Sequence, residues 1–195
     1  MELADAANLA KYLYEVGHLK QVQRSGWQQI GIHNPESVAE HSYRTAIIGY
    51  ILASIEGADP EKTAIICLFH DAAEARIGDL HWTAKRYISV KEGEQLALTE
   101  QVERLPQEMA EKVVTLVDEY EERSSREGQL AREADLLECI LQAREYQTRG
   151  YAEAQDWIDG CYESLQTETG RSLAKACIHT EPSAWFQGLK YKPKP

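Results

Sequence analysis

Six apolar residues, Ala64-Ile65-Ile66-Cys67-Leu68-Phe69, run without a break into His70-Asp71. A run of that kind belongs in a core, and Asp59 as N-cap with Pro60 at the first helical position starts it as a helix. Burying an imidazole beside a carboxylate costs several kcal/mol unless each is paired or bound to a cation. Any fold of this chain must therefore bring compensating partners to His70 and Asp71. Glu74 follows His70 by four residues and Asp71 by three, so an unbroken helix sets all three on one side. Gly78 is placed to end that helix in a left-handed turn, with Asp79 just beyond. The segment has the make-up of half a metal site.

Nearly every other stretch also reads as helix. Leu9, Leu13, Val16 and Leu19 give an amphipathic helix from Ala4 to about Val22. Gln23 to Glu36 is a loop punctuated by Gly26, Gly31, Asn34 and Pro35, and it carries Arg24, Trp27 and His33. Ser37-Val38-Ala39-Glu40 is a capping box opening a helix through His41 to about Ile55. The central helix is expected from Pro60 to Ile77, followed by a polar-aromatic connector from Asp79 to Val90 with a helical turn at Trp82 to Tyr87. Further helices are expected over Lys91 to Arg104, Pro106 to about Arg123, from a Ser124-Ser125 cap to Gly150, Tyr151 to Leu165, and Ser172 to Ile178. No β-type alternation and no internal repeat interrupts them. The expectation is one all-α domain over residues 1–180, with a C-terminal extension over 181–195 that contains Pro193 and Pro195.

Composition narrows the function. Hydrophobic residues make up 43% of 195, enough for one buried core. With 21 Lys plus Arg against 32 Asp plus Glu, the net charge of -11 argues against nucleic acid or an anionic membrane as partner. Cys67, Cys139, Cys161 and Cys177 form no Cys-x-x-Cys pair and read as reduced thiols. The opening Met-Glu-Leu-Ala-Asp lacks the basic region of a signal peptide, and the apolar run Ala46 to Ala53 is far short of the ~18 residues a membrane span needs. A cytoplasmic setting is expected.

Local packing leaves four residues unexplained: His41, the pair His70-Asp71, and Asp135 in the middle of an increasingly apolar helix. A lone histidine is more often a hydrogen-bonded core residue, and Asp135 alone is more often an exposed acid paired with Arg132. Taken together, on three separate helices, two imidazoles and two carboxylates suit Mn²⁺, Co²⁺, Fe²⁺, Ni²⁺, Mg²⁺ or Zn²⁺. Around an octahedral ion they leave two positions, one for a water and one for a substrate oxygen, as hydrolysis of a phosphate ester requires.

This arrangement resembles the HD-domain metal-dependent phosphohydrolases, and within them the branch of 5′-deoxynucleotidases. The pieces that carry the resemblance are Leu19 to Trp27, Glu36 to Ser42, His70-Asp71-Ala72-Ala73-Glu74, Gly78-Asp79 and Asp135, spanning roughly residues 8 to 150. It implies an HD-domain helical bundle with additional C-terminal helices. It also implies that His41, His70, Asp71 and Asp135 hold one divalent metal whose bound water attacks phosphorus. Glu74 would orient or deprotonate that water, and Asp79 would assist near the leaving 5′-oxygen. Arg24 would grip the phosphate, and Trp27, set apart from Arg24 by Ser25-Gly26, would lie near the sugar. The implied substrate is a deoxyribonucleoside 5′-monophosphate, and a homodimer is expected by analogy. Competing readings are a nucleoside tri- or pyrophosphate hydrolase and a nucleotide-binding signalling module without turnover. His18, His33, His81, His179, Lys85 and Arg86 are given no role, and Tyr12, Tyr14, Tyr120, Tyr146, Trp157 and Trp185 are assigned to packing or subunit contact.

Overall fold

The computed structural model describes residues 3–189, so Pro193 and Pro195 of the expected extension lie outside the described residues. The helices are α1 (Leu3–Gly17), α2 (Ser25–Gln28), α3 (Val38–Glu56), α4 (Pro60–Phe69), α5 (Glu74–Ile77), α6 (Trp82–Lys85), α7 (Lys91–Val102), α8 (Gln107–Glu122), α9 (Arg126–Thr148), α10 (Gln155–Ser164) and α11 (Glu168–His179). Among the described residues there is no strand, only an isolated bridge between Gln23 and Ser37. The fold is all-α.

The sequence punctuation acts where it stands. Ser37 and Glu40 close the capping box at the head of α3, and Gly57 (φ 71°) ends that helix in the left-handed region. Asp59 accepts from the Lys62 amide at the head of α4, and Ser125 from the Gly128 amide at the head of α9. Helix α9 is the axis of the molecule. It packs against α3, α4, α8, α10 and α11, which is why Leu130, Ala131, Ala134, Leu137, Ile140 and Ala143 are all fully buried along it. A smaller cluster, Ala72 with Leu98, Val102 and Val113, ties the chain after α4 to α7 and α8.

Several boundaries depart from the sequence reading. The first helix stops at Gly17 and continues as a single 3₁₀ turn, His18–Lys20, after which the Val22 carbonyl accepts from the Val38 amide. The last helix begins four residues earlier than expected, since Thr167 supplies a cap for the Gly170 amide. The expected Pro60–Ile77 helix is two helices. Between them the amides of Ala72, Glu74 and Ala75 reach back three residues, to Phe69, Asp71 and Ala72. A three-residue turn brings side chains at i and i+3 into line, so Asp71 and Glu74 share a face although the α-helix has ended. Gly78 has a positive φ as expected, but its ψ of 164° places it in an extended region open essentially to glycine, not in a left-handed helical turn.

The crossing of α3, α4 and α9 depends on Gly49. A Cβ there would lie 2.7 Å from Cys67 Sγ and 3.2 Å from Thr63 Cγ2. Gly49→Ala should therefore lower the unfolding free energy by about 1–3 kcal/mol through overpacking. Gly17→Ala, which meets nothing within 4 Å, should leave the urea midpoint unchanged or raise it slightly.

Candidate active site

Helix α3 brings His41, the α4–α5 turn brings His70 and Asp71, and α9 brings Asp135 to one buried place. The donor atoms of His41, His70 and Asp71 lie within 4.8 Å of one another. His41 Nε2 stands 3.4 Å from His70 Nε2 and 3.3 Å from Asp135 Oδ1. Asp71 Oδ2 is 3.1 Å from His70 Nε2 and 3.6 Å from His41 Nε2.

The outer face of each ring decides what the inner face can do. His70 Nδ1 donates to the Cys67 carbonyl at 2.7 Å, a helix-end acceptor in the last turn of α4. His41 Nδ1 donates to Glu138 Oε2 at 2.6 Å. With both Nδ1 atoms committed, the neutral rings turn their Nε2 lone pairs towards each other, and Asp71 Oδ2 is buried with no hydrogen-bond partner. In that state four acceptors converge, and the nearest donor is Arg24 Nη1, 3.6 Å from Asp71 Oδ2. A divalent cation resolves that conflict, and the nitrogen and oxygen donors suit a first-row metal or Mg²⁺. A second acidic group, Glu36, His41 and Glu138, is of another kind: Arg44 donates to Glu138 Oε1 at 2.9 and 2.7 Å, so a guanidinium and the His41 proton already meet its charge.

Electrostatics agree. Burial lowers the His41 pKa, but Glu138 and Asp135 outweigh it and push it up to about 10, so the cluster demands positive charge at this ring. Burial raises the Asp135 carboxyl, yet His41 and Arg132 hold it well below the usual carboxylate range. Its second oxygen accepts from the Tyr120 hydroxyl and from Arg132 Nη1, each at 2.7 Å. The Arg132 pairing foreseen as the bland alternative for Asp135 thus coexists with a place in the cluster.

The remaining predicted residues line an adjoining cavity of about 450 Å³. Arg24 Nη1 lies 3.6 Å from Asp71 Oδ2 and 3.7 Å from Asp79 Oδ1. Asp79 Oδ2 also accepts from the Ser25 amide at 2.5 Å, so Asp79 fastens the Arg24 loop to the end of α5. Glu74 is 3% exposed with Oε2 unpartnered. Burial, then the charges of Asp71 and Asp79, push its pKa up to about 9. Trp27 touches the cavity but is 2% exposed. Its indole N–H donates to Glu36 Oε1 at 3.1 Å, and its ring packs on Tyr146 and Trp157 at 5.1 and 5.3 Å.

The sequence reading missed Glu138, Glu36, Arg44 and the site role of Tyr120. For Glu138 a signal existed: it lies three residues after Asp135 on the same increasingly apolar helix, so both acids face inward. The other three are recognised only through partners distant in the chain.

A helical bundle that gathers two imidazoles and two carboxylates beside an arginine-lined cavity defines a class, the all-helical phosphohydrolases. The chain belongs to the HD-domain family, whose domain matches residues 16–176. The mouse (Mus musculus) 5′-deoxynucleotidase HDDC2 is 32% identical over 191 residues, covering 91% of this chain and 96% of that one. Among solved structures, a conserved hypothetical protein from Pyrococcus furiosus is 33% identical, with a TM-score of 0.69 over 86% of this chain and 98% of that one. A cyanophage S-2L HD phosphohydrolase (DatZ), bound to dA and one catalytic Zn²⁺ ion, is 17% identical with a TM-score of 0.56, covers 85% of this chain and 92% of that one, and is alike in fold alone.

Two outcomes follow from this geometry. Glu138→Gln, which withdraws the charge that orients His41, should weaken Mn²⁺ or Co²⁺ binding about 10- to 100-fold by calorimetric titration, with helicity retained. For Glu74, the folded pKa is raised above its ordinary value of 4.5 to about 9, so its contribution to stability is complete below pH 4.5 and is lost as pH rises towards 9. In metal-free protein the thermal midpoint of Glu74→Gln should accordingly exceed that of the wild type by a margin that widens from pH 5 to pH 8.

Proposed function

We propose that this protein is a 5′-deoxynucleotidase, hydrolysing deoxyribonucleoside 5′-monophosphates to deoxynucleoside and phosphate. The observation that carries this reading is the pair of facing Nε2 atoms beside an unpartnered Asp71 oxygen, opening on a cavity guarded by Arg24. His41, His70, Asp71 and Asp135 would hold one divalent ion, with Mn²⁺, Co²⁺, Fe²⁺, Ni²⁺, Mg²⁺ and Zn²⁺ all suited to the donor set. When bound, such an ion offsets phosphate charge and makes a coordinated water more acidic.

The chain's own groups do the rest. Arg24, half-buried between Asp71 and Asp79, presents a planar fork to the phosphate oxygens. Glu74 lies in line with Asp71 on the tight turn and has an oxygen to spare; with a cation offsetting the Asp71 charge that helps keep its carboxyl protonated, it would orient the attacking water and take its proton. Asp79, anchored on the Ser25 amide, keeps Arg24 in place and stands near the departing 5′-oxygen. Trp27, with its N–H engaged by Glu36, supports the floor of the cavity beneath the sugar.

The cavity's size is that of a small-molecule site. Its outer lining balances Lys85, Lys91 and Arg123 with Glu94, Asp118, Glu121 and Glu122. That wall offers no surplus positive charge for a chain of phosphates, which favours the monophosphate over a triphosphate. Among the described residues no helix is long and apolar enough to cross a membrane, and four free cysteines suit the reducing cytoplasm. On α3, Tyr43, Ile47, Ile51 and Ile55 repeat every four residues and are exposed, a stripe that supports a homodimer.

Phosphate release should be measured for deoxy- and ribonucleoside mono-, di- and triphosphates against several divalent metals. The wild type should release phosphate from deoxyribonucleoside monophosphates, lose activity to a chelator and recover it with Mn²⁺ or Co²⁺. Asp71→Ala should reduce activity by about 10³-fold or more. No release from any such substrate, or full activity in Asp71→Ala, overturns the reading.

A further inference from the structure

An aromatic surface at the cavity mouth has no part in the chemistry described so far. Four aromatic residues line the cavity: Trp27, Tyr120, Trp157 and Trp82. Three are committed elsewhere. Trp27 is buried between Tyr146 and Trp157. Tyr120 is buried, packs on His70 at 4.8 Å and spends its hydroxyl on Asp135. Trp157 is half-buried, packed on Trp27 and closely approached by Gly26. Trp82 alone among them is exposed, at 65%. A large indole left in water at the rim of a cavity has apolar area to bury against a ligand.

Its mounting is not that of a loose surface residue. Trp82 is the first residue of α6, three residues after Asp79, a separation of at most about 11 Å along the chain. That is the scale on which the two ends of a mononucleotide are set apart. The His81 side chain caps α6 by accepting from the Ala84 amide at 3.2 Å. Gln29, from the loop that carries Arg24, donates to His81 Nδ1 at 2.9 Å and to Thr83 Oγ1 at 3.0 Å. Residues on both sides of Trp82 are thereby fastened to the phosphate-gripping loop. The Asp79–Ser25 contact closes the same clasp at its inner end.

We propose that Trp82 is the nucleobase platform: the base stacks on its indole face while Arg24 holds the phosphate, with Gln29 fixing the span between them. This rests on the reading of the site as a deoxynucleotidase. A π-face accepts any base, so the platform confers preference for nucleotides over base-free sugar phosphates without choosing among bases.

The experiment compares deoxyribonucleoside 5′-monophosphates of all four bases with 2-deoxyribose 5-phosphate, which keeps sugar and phosphate and lacks the base. In Trp82→Ala, KM for each nucleotide should rise about 5- to 100-fold with kcat nearly unchanged, and kinetics on the sugar phosphate should stay at wild-type values. Trp82→Phe should recover part of the loss. Gln29→Ala should also raise nucleotide KM, because it loosens the mounting. If Trp82→Ala leaves the nucleotide-to-sugar-phosphate ratio of kcat/KM unchanged, whether both fall together or neither falls, the platform is refuted while the deoxynucleotidase reading stands. If the wild type releases phosphate from no deoxynucleotide with any divalent metal, the underlying reading fails and the platform with it.

Discussion

The structure depends on two imidazoles being held with their lone pairs towards each other. With both rings neutral that arrangement is repulsive, and without a cation the acids around His41 relieve it by favouring a proton on that ring. The facing geometry persists because each ring is fixed from behind, His70 by the Cys67 carbonyl and His41 by Glu138. The first anchor comes directly from the break in the helix. Where α4 tightens after Phe69, its final carbonyls lose their usual amide partners, and one of them sets the tautomer of the next residue but two. The same tightening turns Glu74 into line with Asp71. A local change of helical pitch thus supplies a fixed imidazole, a candidate carboxylate ligand and a candidate base from five consecutive residues.

Helix α9 is the counterpart on the other side. Asp135 and Glu138, one turn apart, face the same cluster and serve it differently. Asp135 presents Oδ1 to the centre while Tyr120 and Arg132 occupy Oδ2. Glu138 never reaches the centre; it stands behind His41, and Arg44 meets its remaining charge. Each buried acid has its own guanidinium, so removing either arginine would leave a buried carboxylate short of one charged partner. The many buried partners of α9 keep these two acids in register with α3 and α4.

The legible parts of this design were those written locally. Ser37-x-x-Glu40, Asp59-Pro60 and Ser125 announce helix starts through contacts three residues apart, and they are found where the sequence sets them. The grouping of His41, His70, Asp71 and Asp135 was legible because charged ligands on apolar helices need a common partner. The split of the Pro60–Ile77 helix was not, since no glycine or proline marks it. It accompanies the packing of Ala72 against Leu98, Val102 and Val113 from distant helices. Glu138 and His41 are 97 residues apart, and Tyr120 is engaged by a helix that begins after it. Such pairings belong to the tertiary structure.

Trp27 illustrates how the two levels interact. An aromatic residue close to the arginine at the cavity invites a role against the substrate, yet the fold uses nearly all of its surface inside the protein. Its N–H holds Glu36, whose own amide is held by the Tyr146 hydroxyl on α9, and the Arg24 amide bonds to the Glu36 carbonyl. The residue therefore sets the position of the arginine by fixing the loop to the axis of the bundle. Contact with ligand is left to side chains that remain accessible at the mouth. Rigidity at the phosphate end and exposure at the other are what a site needs if it is to hold one fixed charge and tolerate varied shapes beyond it.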